Sequence, residues 1–290
     1  MPDVLTLREA AAWLRLSERS LYALARQRRV PAAQLGGKWL FPRALLEGWL
    51  AAQAEPPGLE ARLAPPAILA GSHDPLLDWA VRRSGCGLAL RGGGSLDGLE
   101  ALAGGAAASA AVHLIEPDTG VFNEPAARAA LAGRGAVAVV WAWREQGLIV
   151  APGNPLGLRA VADLGRPGLR VIGRQRRAGS HALLLHLLAE ADMRFDQVGF
   201  LPDPALAEDE VAAAVAEGLA AAGFGIRAAA RPRLRAAAAE RFDLVMDRRT
   251  YVEAPVQGLL GFARGPDFAA RAGRMGGYDT ADTGTVAFDF

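Results

Sequence analysis

Cysteine and lysine are nearly absent from this sequence, which contains one of each, Cys86 and Lys38. A single cysteine excludes an intramolecular disulfide framework and a cysteine-rich zinc site. The one lysine is followed by Trp39, so the sequence has no G-x-x-x-x-G-K-[ST] loop for nucleotide phosphates. Arginine therefore supplies almost all of the positive charge, and an arginine cluster carries less functional weight here than it would in an average composition.

Motifs for catalysis are also lacking. The sequence has neither the His/Glu spacing of a metalloenzyme nor a G-x-S-x-G nucleophile elbow. The run from Gly92 to Asp97 falls short of a dinucleotide fingerprint, because Asp97 stands where the last glycine would be. We therefore expect no enzymatic activity, no cofactor and no site for a free metal cation.

Long apolar runs are missing, so no segment is predicted to cross a membrane. The N-terminus, Met-Pro-Asp-Val, has neither the positive region nor the apolar region of a signal peptide. The formal net charge is +1, which argues against a protein that coats nucleic acid along its whole length. These features predict a cytoplasmic protein without membrane contact.

Residues 6–51 carry the strongest local pattern. Thr6 and Glu9 have the spacing of a capping box at the start of one helix, and Ser17 is a candidate N-cap for a second. The second helix has an apolar inner stripe and a basic outer face, as in the recognition helix of a helix-turn-helix. The candidate DNA-binding residues are Ser17, Arg19, Ser20, Tyr22, Arg26, Arg28, Arg29, Lys38 and Trp39. We expect Arg19, Tyr22 and Arg26 to reach base edges, and Lys38 with Arg28 or Arg29 to contact phosphates.

A predicted hairpin follows these helices. Gly36-Gly37 forms the turn, and a third amphipathic helix begins near Arg43. This order resembles the winged helix-turn-helix of excisionase-type and MerR-type DNA-binding domains, although Gln27-Arg28-Arg29 replaces their glycine-containing step. Up to position 55 the sequence has eight basic and five acidic residues, as phosphate contact requires. The alternative is a small helical cap whose arginines only keep it soluble.

The rest of the sequence divides into a linker and a larger domain. Residues 1–52 are predicted as the DNA-binding domain, 53–66 as a proline-containing linker and 67–290 as an α/β domain. Short apolar strands alternate with helices in the last segment, which predicts a mainly parallel sheet. Extended segments near 146–151 and 242–246 separate a second lobe, about 150–240, from the first. The predicted fold is a two-lobed clamshell with its ligand cleft between the lobes.

Several motifs of the second domain resemble one known family. They are Gly71-Ser72-His73-Asp74-Pro75, Gly94-Ser95-Leu96, Glu145 to Pro155, Arg174-Gln175-Arg176 and Gly223 to Ala229. Together they are similar to the molybdate-type periplasmic-binding-protein-like domain (type II), which is found behind helix-turn-helix modules in bacterial regulators. This resemblance implies molybdate or tungstate as the candidate effector. Two departures, the loop after Arg176 and Ala221, leave an organic ligand open.

Three strand-to-helix loops offer groups for such an oxyanion. Serine hydroxyls and helix N-terminal amides hold tetrahedral anions through neutral donors. The candidate ligand-binding residues are Ser72, His73, Ser95, His113, Arg176, Gly179 and Ser180. Each has a structural alternative: the serines as N-caps, His113 as a hydrogen-bonded core residue, and Arg176 as a solvated side chain.

These features predict a one-component transcription regulator that binds double-stranded DNA as a homodimer and senses a small ligand. Ligand binding would close the lobes and change the spacing of two recognition helices. The alternatives are a sensor of an organic molecule, a ligand-independent DNA-binding accessory protein, and the solute-binding component of a transporter.

Overall fold

The computed structural model describes residues 3–53, 65–117, 119–230 and 234–290. The chain divides into two compact units, Met1–Ala64 and Pro65–Phe290. The linker predicted at 53–66 lies almost entirely outside the described residues. No helix in the described parts of the chain is both long and apolar enough to cross a bilayer.

The first unit is a winged helix-turn-helix, as predicted. Its elements are β1 (Val4–Thr6), α1 (Leu7–Leu14), α2 (Glu18–Arg26), β2 (Ala33–Leu35), β3 (Lys38–Pro42) and α3 (Arg43–Gln53). The predicted capping box is present, since the Thr6 hydroxyl accepts the Glu9 amide and Glu9 accepts the Thr6 amide. Ser17 caps α2 by accepting the Ser20 amide at 3.1 Å.

The hairpin of this unit turns at the predicted glycines. Gly36 and Gly37 have φ of 56° and 76°, a left-handed pair that a two-residue hairpin turn requires. Strand β1 was not predicted, and it pairs with β3 at the sheet edge. Leu21, Phe41 and Leu46 are fully buried in one core that also contains Ala10 and Ala11 of α1, so all three helices pack on the sheet through it.

The second unit begins with an α/β lobe. Lobe one contains β4 (Ile68–Ser72), α4 (Pro75–Ser84), β5 (Ala89–Gly93), α5 (Ser95–Ala103), β6 (Ser109–Val112) and α6 (Glu124–Ala130). Strand β7 (Ala136–Val150) then leads into lobe two, which contains β8 (Val171–Ile172), α7 (Gly179–Glu190), α8 (Glu208–Ala216), β9 (Ala222–Ile226) and α9 (Arg227–Ala230). Short 3₁₀ helices lie at Val161–Gly165 and Phe195–Gln197.

The chain returns to lobe one along β10 (Leu234–Asp247). There it adds α10 (Arg248–Tyr251), α11 (Ala254–Ala263), α12 (Pro266–Met275), β11 (Tyr278–Asp279) and β12 (Val286–Asp289). Helices α11 and α12 were not predicted. They cover Trp141, whose ring meets Phe268 edge-on with centroids 4.9 Å apart. Strand β12 pairs with β7 at the end of the chain.

Nine strands of the described residues form one curled sheet, in the order β5-β4-β6-β10-β7-β9-β8, with β11 and β12 on β7. The prediction of a mainly parallel sheet was wrong. The pairs β4–β5, β4–β6 and β8–β9 are parallel, whereas β10 and β7 run antiparallel through the middle. The physical reason is that β7 carries the chain out to lobe two and β10 carries it back. Each lobe has its own core, built around Trp141 in lobe one and Phe224 in lobe two.

Candidate functional site

Helix α2 presents a basic outer face in the first unit. Leu21 and Ala25 point into the core, so Arg19, Tyr22 and Arg26 are exposed on the opposite side. Arg28, Arg29, Ser20 and Lys38 are exposed as well. Two predicted residues have structural contacts: Ser17 caps α2, and half-buried Trp39 packs on the core. The exposed set is therefore a candidate DNA-binding surface.

Three strand ends meet in lobe one of the second unit. Ser72 ends β4 and Ser95 begins α5, and their hydroxyl oxygens lie 2.8 Å apart. The Ser95 hydroxyl also accepts the His113 amide at 3.2 Å. All three residues are buried. The sequence predicted that these loops converge, and the structure brings them together.

Two glycines allow close contact between the lobes near these serines, Gly179 in lobe two and Gly94 in lobe one. A Cβ placed at Gly179 would lie 2.2 Å from the His113 carbonyl oxygen, and one at Gly94 would lie 2.2 Å from the Arg177 carbonyl oxygen. Only residues without a side chain allow the two lobes to touch this closely. Arg177 also pairs across the cleft with Asp97 and with Glu100. The lobes are therefore closed on each other.

Ser180, at the start of α7, is engaged within lobe two. Its hydroxyl donates to the Glu208 carboxylate at 2.9 Å, and Arg174 Nε lies 3.6 Å from the same oxygen. Glu208 is fully buried and occupies the first turn of α8, where the helix dipole favours a carboxylate. A predicted anion-binding hydroxyl thus already has an anionic partner from its own chain.

The two strands that connect the lobes, β7 and β10, are called the hinge strands here, and they contribute to a buried network of charged residues. Arg144 of β7 donates to Asp74 at 3.1 Å and pairs with Glu240 of β10. Glu240 also accepts from Gln146 at 2.7 Å and contacts His113 Nδ1 at 2.8 Å. Tyr278 donates to the same Asp74 oxygen, Oδ2, at 2.7 Å. This network connects lobe one to both strands that link the two lobes.

Burial raises the pKa of Glu240, but the opposing effects of Arg144 and His113 outweigh it and hold the pKa at about 2. Burial lowers the pKa of Arg144, and the carboxylates of Glu240 and Asp74 more than reverse this, so its pKa lies above the ordinary value. Both groups are therefore charged throughout the physiological pH range.

Several buried side-chain atoms of this network, of the Ser180–Glu208–Arg174 group and of His73 have no hydrogen-bond partner among the described residues. They are His73 Nδ1, His113 Nε2, Arg144 Nε, Gln146 Oε1, Arg174 Nε and Glu208 Oε2. Unpaired polar atoms are rare in protein interiors because each one costs free energy. Six of the nine such atoms among the described residues belong to this group, which makes the region a candidate binding site.

The predicted ligand residues have different outcomes. Ser72, Ser95, His113, Gly179 and Ser180 come together between the lobes. Half-buried His73 lies beside Ser72, whereas Arg176 is exposed and is not part of the buried network. No group of metal-ligating side chains occurs among the described residues.

Sequence reasoning missed the charged residues of the network: Arg144, Gln146, Arg174, Glu208 and Glu240. The sequence did contain a signal for two of them, because Arg144 and Gln146 interrupt a strand that is apolar before and after them. A charged residue inside a buried strand requires a partner.

A cavity of about 440 Å³ opens beside the hinge network. Its lining includes Arg144 and Tyr278 from the network, the ring of Trp143, and the carboxylates of Asp279 and Asp282. Glu145 also lines it, and this residue is paired with Arg227. The cavity therefore combines an aromatic wall with acidic groups.

Comparisons with known proteins agree with both units. Residues 78–264 match the model of the PBP superfamily domain, and residues 4–54 match that of a helix-turn-helix domain. The uncharacterized protein YvgK of Bacillus subtilis (strain 168) is 28% identical over 206 residues. That match covers 68% of this chain and 64% of YvgK, so the chain spans slightly less than two thirds of this relative.

Two solved structures share the fold. A putative phosphate ABC transporter substrate-binding protein from Clostridium perfringens has a TM-score of 0.53 at 10% identity, covering 72% of this chain and 96% of that one. The sulfate-binding protein SubI from Mycobacterium tuberculosis H37Rv has a TM-score of 0.51 at 18% identity, covering 74% and 86%. At these identities the likeness concerns the fold alone.

Proposed function

Because this chain belongs to the PBP superfamily and carries a helix-turn-helix domain, we propose that it is a cytoplasmic, ligand-responsive regulator of transcription without catalytic activity. The observation that carries the proposal is the pairing of an exposed basic helix in one unit with a buried, partly unpaired polar network in the other.

DNA recognition is assigned to α2 and the wing. Arginine side chains on the exposed face of a recognition helix read guanine edges, and lysine in a wing contacts phosphate. We propose that two copies bind one two-fold operator, since helix-turn-helix proteins read paired half-sites.

Replacing Arg19 and Arg26 with alanine tests this assignment. Each lost base contact is expected to weaken operator affinity by about 1–3 kcal/mol. In the Lys38→Ala variant, affinity should fall by about the same amount for every DNA sequence, because a phosphate contact does not depend on the bases. The operator is first selected from random DNA, and affinity is then measured by fluorescence anisotropy. Arg128→Ala, an exposed arginine of lobe one, is the matched control. Unchanged affinity in the double variant would refute the assignment.

The ligand is proposed to bind between the lobes and to act by favouring their closed arrangement. A ligand shifts such an equilibrium only by the difference between its affinities for the two arrangements. The network offers both hydrogen-bond donors and acceptors, which suits a small polar organic molecule.

A tetrahedral oxyanion, molybdate or tungstate, is the second candidate ligand. The convergence of Ser72 and Ser95 near the loop that holds Ser180 favours it, since these are the neutral donors that such an anion uses. Against it, the Ser180 hydroxyl already donates to Glu208.

Thermal melting with sodium molybdate, tungstate, sulfate and phosphate tests the oxyanion. A bound anion at hundredfold excess over its Kd should stabilise the protein by about 2.7 kcal/mol, and Ser180→Ala should reduce that shift. If none of the four anions raises the melting temperature, the oxyanion is excluded and the organic ligand stands.

A further inference from the structure

Both helices of the helix-turn-helix are followed by an arginine in a left-handed backbone conformation. Arg15 ends α1 with a φ of 53°, and Arg28 lies just beyond α2 with a φ of 55°. This conformation brings Cβ close to the following carbonyl oxygen, so the position after a helix is usually taken by glycine and sometimes by asparagine. Two positions that favour glycine are thus occupied by a long cationic side chain.

The second unit shows the ordinary preference at such positions. Among the described residues, five that are not glycine have a positive φ, and they are Arg15, Arg28, Asn123, Asn154 and Asp192. The three in the second unit are asparagine or aspartate, whose short polar side chains tolerate this backbone best. No other arginine in the described parts of the chain has a positive φ. An arginine-rich composition therefore does not account for a pair confined to the ends of these two helices.

The backbone alone closes both helix ends. The Leu16 amide donates to the Ala11 carbonyl at 3.0 Å, and the Arg29 amide donates to the Leu24 carbonyl at 2.9 Å. Glycine at position 15 or 28 would allow the same bonds. Both arginine side chains are exposed, and neither has an ion-pair or hydrogen-bond partner within the described residues. The two guanidinium groups are therefore available to a partner outside the first unit.

We infer that Arg15 and Arg28 contact DNA phosphates at opposite ends of the recognition helix. The inference rests on the proposed DNA binding, and it adds Arg15 to the surface formed by the exposed residues of α2. The nine residues of α2 span about 13 Å, close to the about 12 Å width of the major groove. Arginines just beyond the two ends of α2 therefore lie near the phosphates that border the groove, and a guanidinium group pairs with phosphate through two parallel hydrogen bonds.

The salt dependence of DNA binding tests the inference, because it measures the number of phosphate contacts. The full-length protein is titrated against a labelled duplex of about 20 base pairs and one arbitrary sequence, and fluorescence anisotropy gives the association constant between about 50 and 200 mM sodium chloride. Each lost contact should reduce the slope of log K against log salt by about 0.9. Arg15→Gly and Arg28→Gly should each show this reduction and bind about three- to tenfold more weakly. The double variant should show about twice the reduction in slope.

Thermal melting of the same samples distinguishes a phosphate contact from a structural role. Glycine relieves the left-handed backbone, so Arg15→Gly and Arg28→Gly should melt at the wild-type temperature or above it. Weaker DNA binding together with a lower melting temperature would contradict the inference, because it would trace the loss to the fold. An unchanged slope in either variant overturns the inference for that residue.

Two further variants of Arg15 separate charge from backbone, and they serve if Arg15→Gly does not fold. Arg15→Lys keeps the charge and should keep the wild-type slope. Arg15→Asn removes the charge with a residue that tolerates the left-handed backbone, so its slope should fall like that of Arg15→Gly. Equal slopes for Arg15→Lys and Arg15→Asn would refute the phosphate contact.

Two control variants lie in the second unit. Asp192→Gly makes the same backbone change at a φ of 55°, and Arg194→Ala removes an exposed arginine. Both should keep the wild-type slope, and a reduction in either that equals the one in Arg15→Gly would contradict the assignment to Arg15. A wild-type protein that does not bind the duplex overturns the proposed DNA binding together with this inference, whereas a binding-competent wild type with unchanged variants overturns this inference alone.

Discussion

The buried Glu240 carboxylate has three polar partners in the second unit. Its two oxygens meet Arg144 and Gln146 of β7 and His113 of lobe one. These partners come from sequence positions about a hundred residues away, and all are buried. A buried ion pair of this kind is stabilising only while every member is present.

The depressed pKa of Glu240 predicts a pH dependence of stability. The carboxyl has a folded pKa of about 2 against an ordinary 4.5, so its contribution is complete above the ordinary value and is lost as pH falls towards about 2. The shift corresponds to about 3 kcal/mol. Glu240→Gln should remove that part of the acid sensitivity, measured by urea unfolding across a pH series.

Glu124→Gln is the control for this measurement, because Glu124 belongs to an exposed pair one helical turn apart. Its stability should follow the wild-type pH curve. If Glu240→Gln also ran parallel to the wild type down to acid pH, the proposed state of Glu240 would be wrong.

Removing Arg144 tests the network from its other side. Arg144→Met leaves Asp74 and Glu240 buried without their cation, which should destabilise the protein by about 3–5 kcal/mol in urea unfolding at neutral pH. The control Arg194→Ala, which removes only an exposed pair with Asp196, should cost less than about 1 kcal/mol. A similar small cost for both variants would contradict the network.

At the scale of elements, the start of α5 can pack closely against lobe two only because Gly94 has no side chain. A Cβ on Gly94 would meet the Arg177 carbonyl oxygen, so Gly94→Ala should open the contact between the lobes and destabilise unit two by about 1–3 kcal/mol. The same change at Gly261, inside α11 with open space around it, should stabilise by about 0.5–1 kcal/mol. Urea unfolding distinguishes the two, and equal effects would refute the packing argument.

Local elements were predictable because their signals are local. The capping box at Thr6, the cap at Ser17 and the Gly36-Gly37 turn each act within a few residues. Helix α11 escaped prediction because it is apolar on most of its surface and contains two glycines, which removes the amphipathic period. Strand β1 escaped because its stability comes from pairing with β3, about 36 residues later.

The candidate site was only half predictable for the same reason. Strand-to-helix loops show their serines in the sequence, so Ser72, Ser95 and Ser180 were found. The register of β7 against β10 is not a local property, and it decides that Glu240 lies opposite Arg144. The pairing of these two charged residues across neighbouring strands is therefore visible only in the structure.

At the scale of the molecule, the two units have separate cores. A fragment of residues 65–290 should therefore fold alone, keep the melting transition and ligand binding of the second unit, and lose operator binding. Circular dichroism measures the melting transition, and fluorescence anisotropy measures operator binding. The fragment 1–64 is the complementary control. Failure of the larger fragment to fold would show that it depends on the first unit.

The path of the chain through β7 and β10 sets an order of assembly during synthesis. Lobe two lies in one continuous stretch between these strands, so a ribosome releases all of it before lobe one is complete. Lobe one must wait for β10 and for β12, whose Phe288 closes its core against β7. Such distant pairing is slow, and until it forms the long apolar strand β7 has no protection on that side. Unpaired apolar strand edges make folding intermediates prone to aggregation, so β7 is the segment of the second unit most exposed to this hazard while the chain is being synthesised.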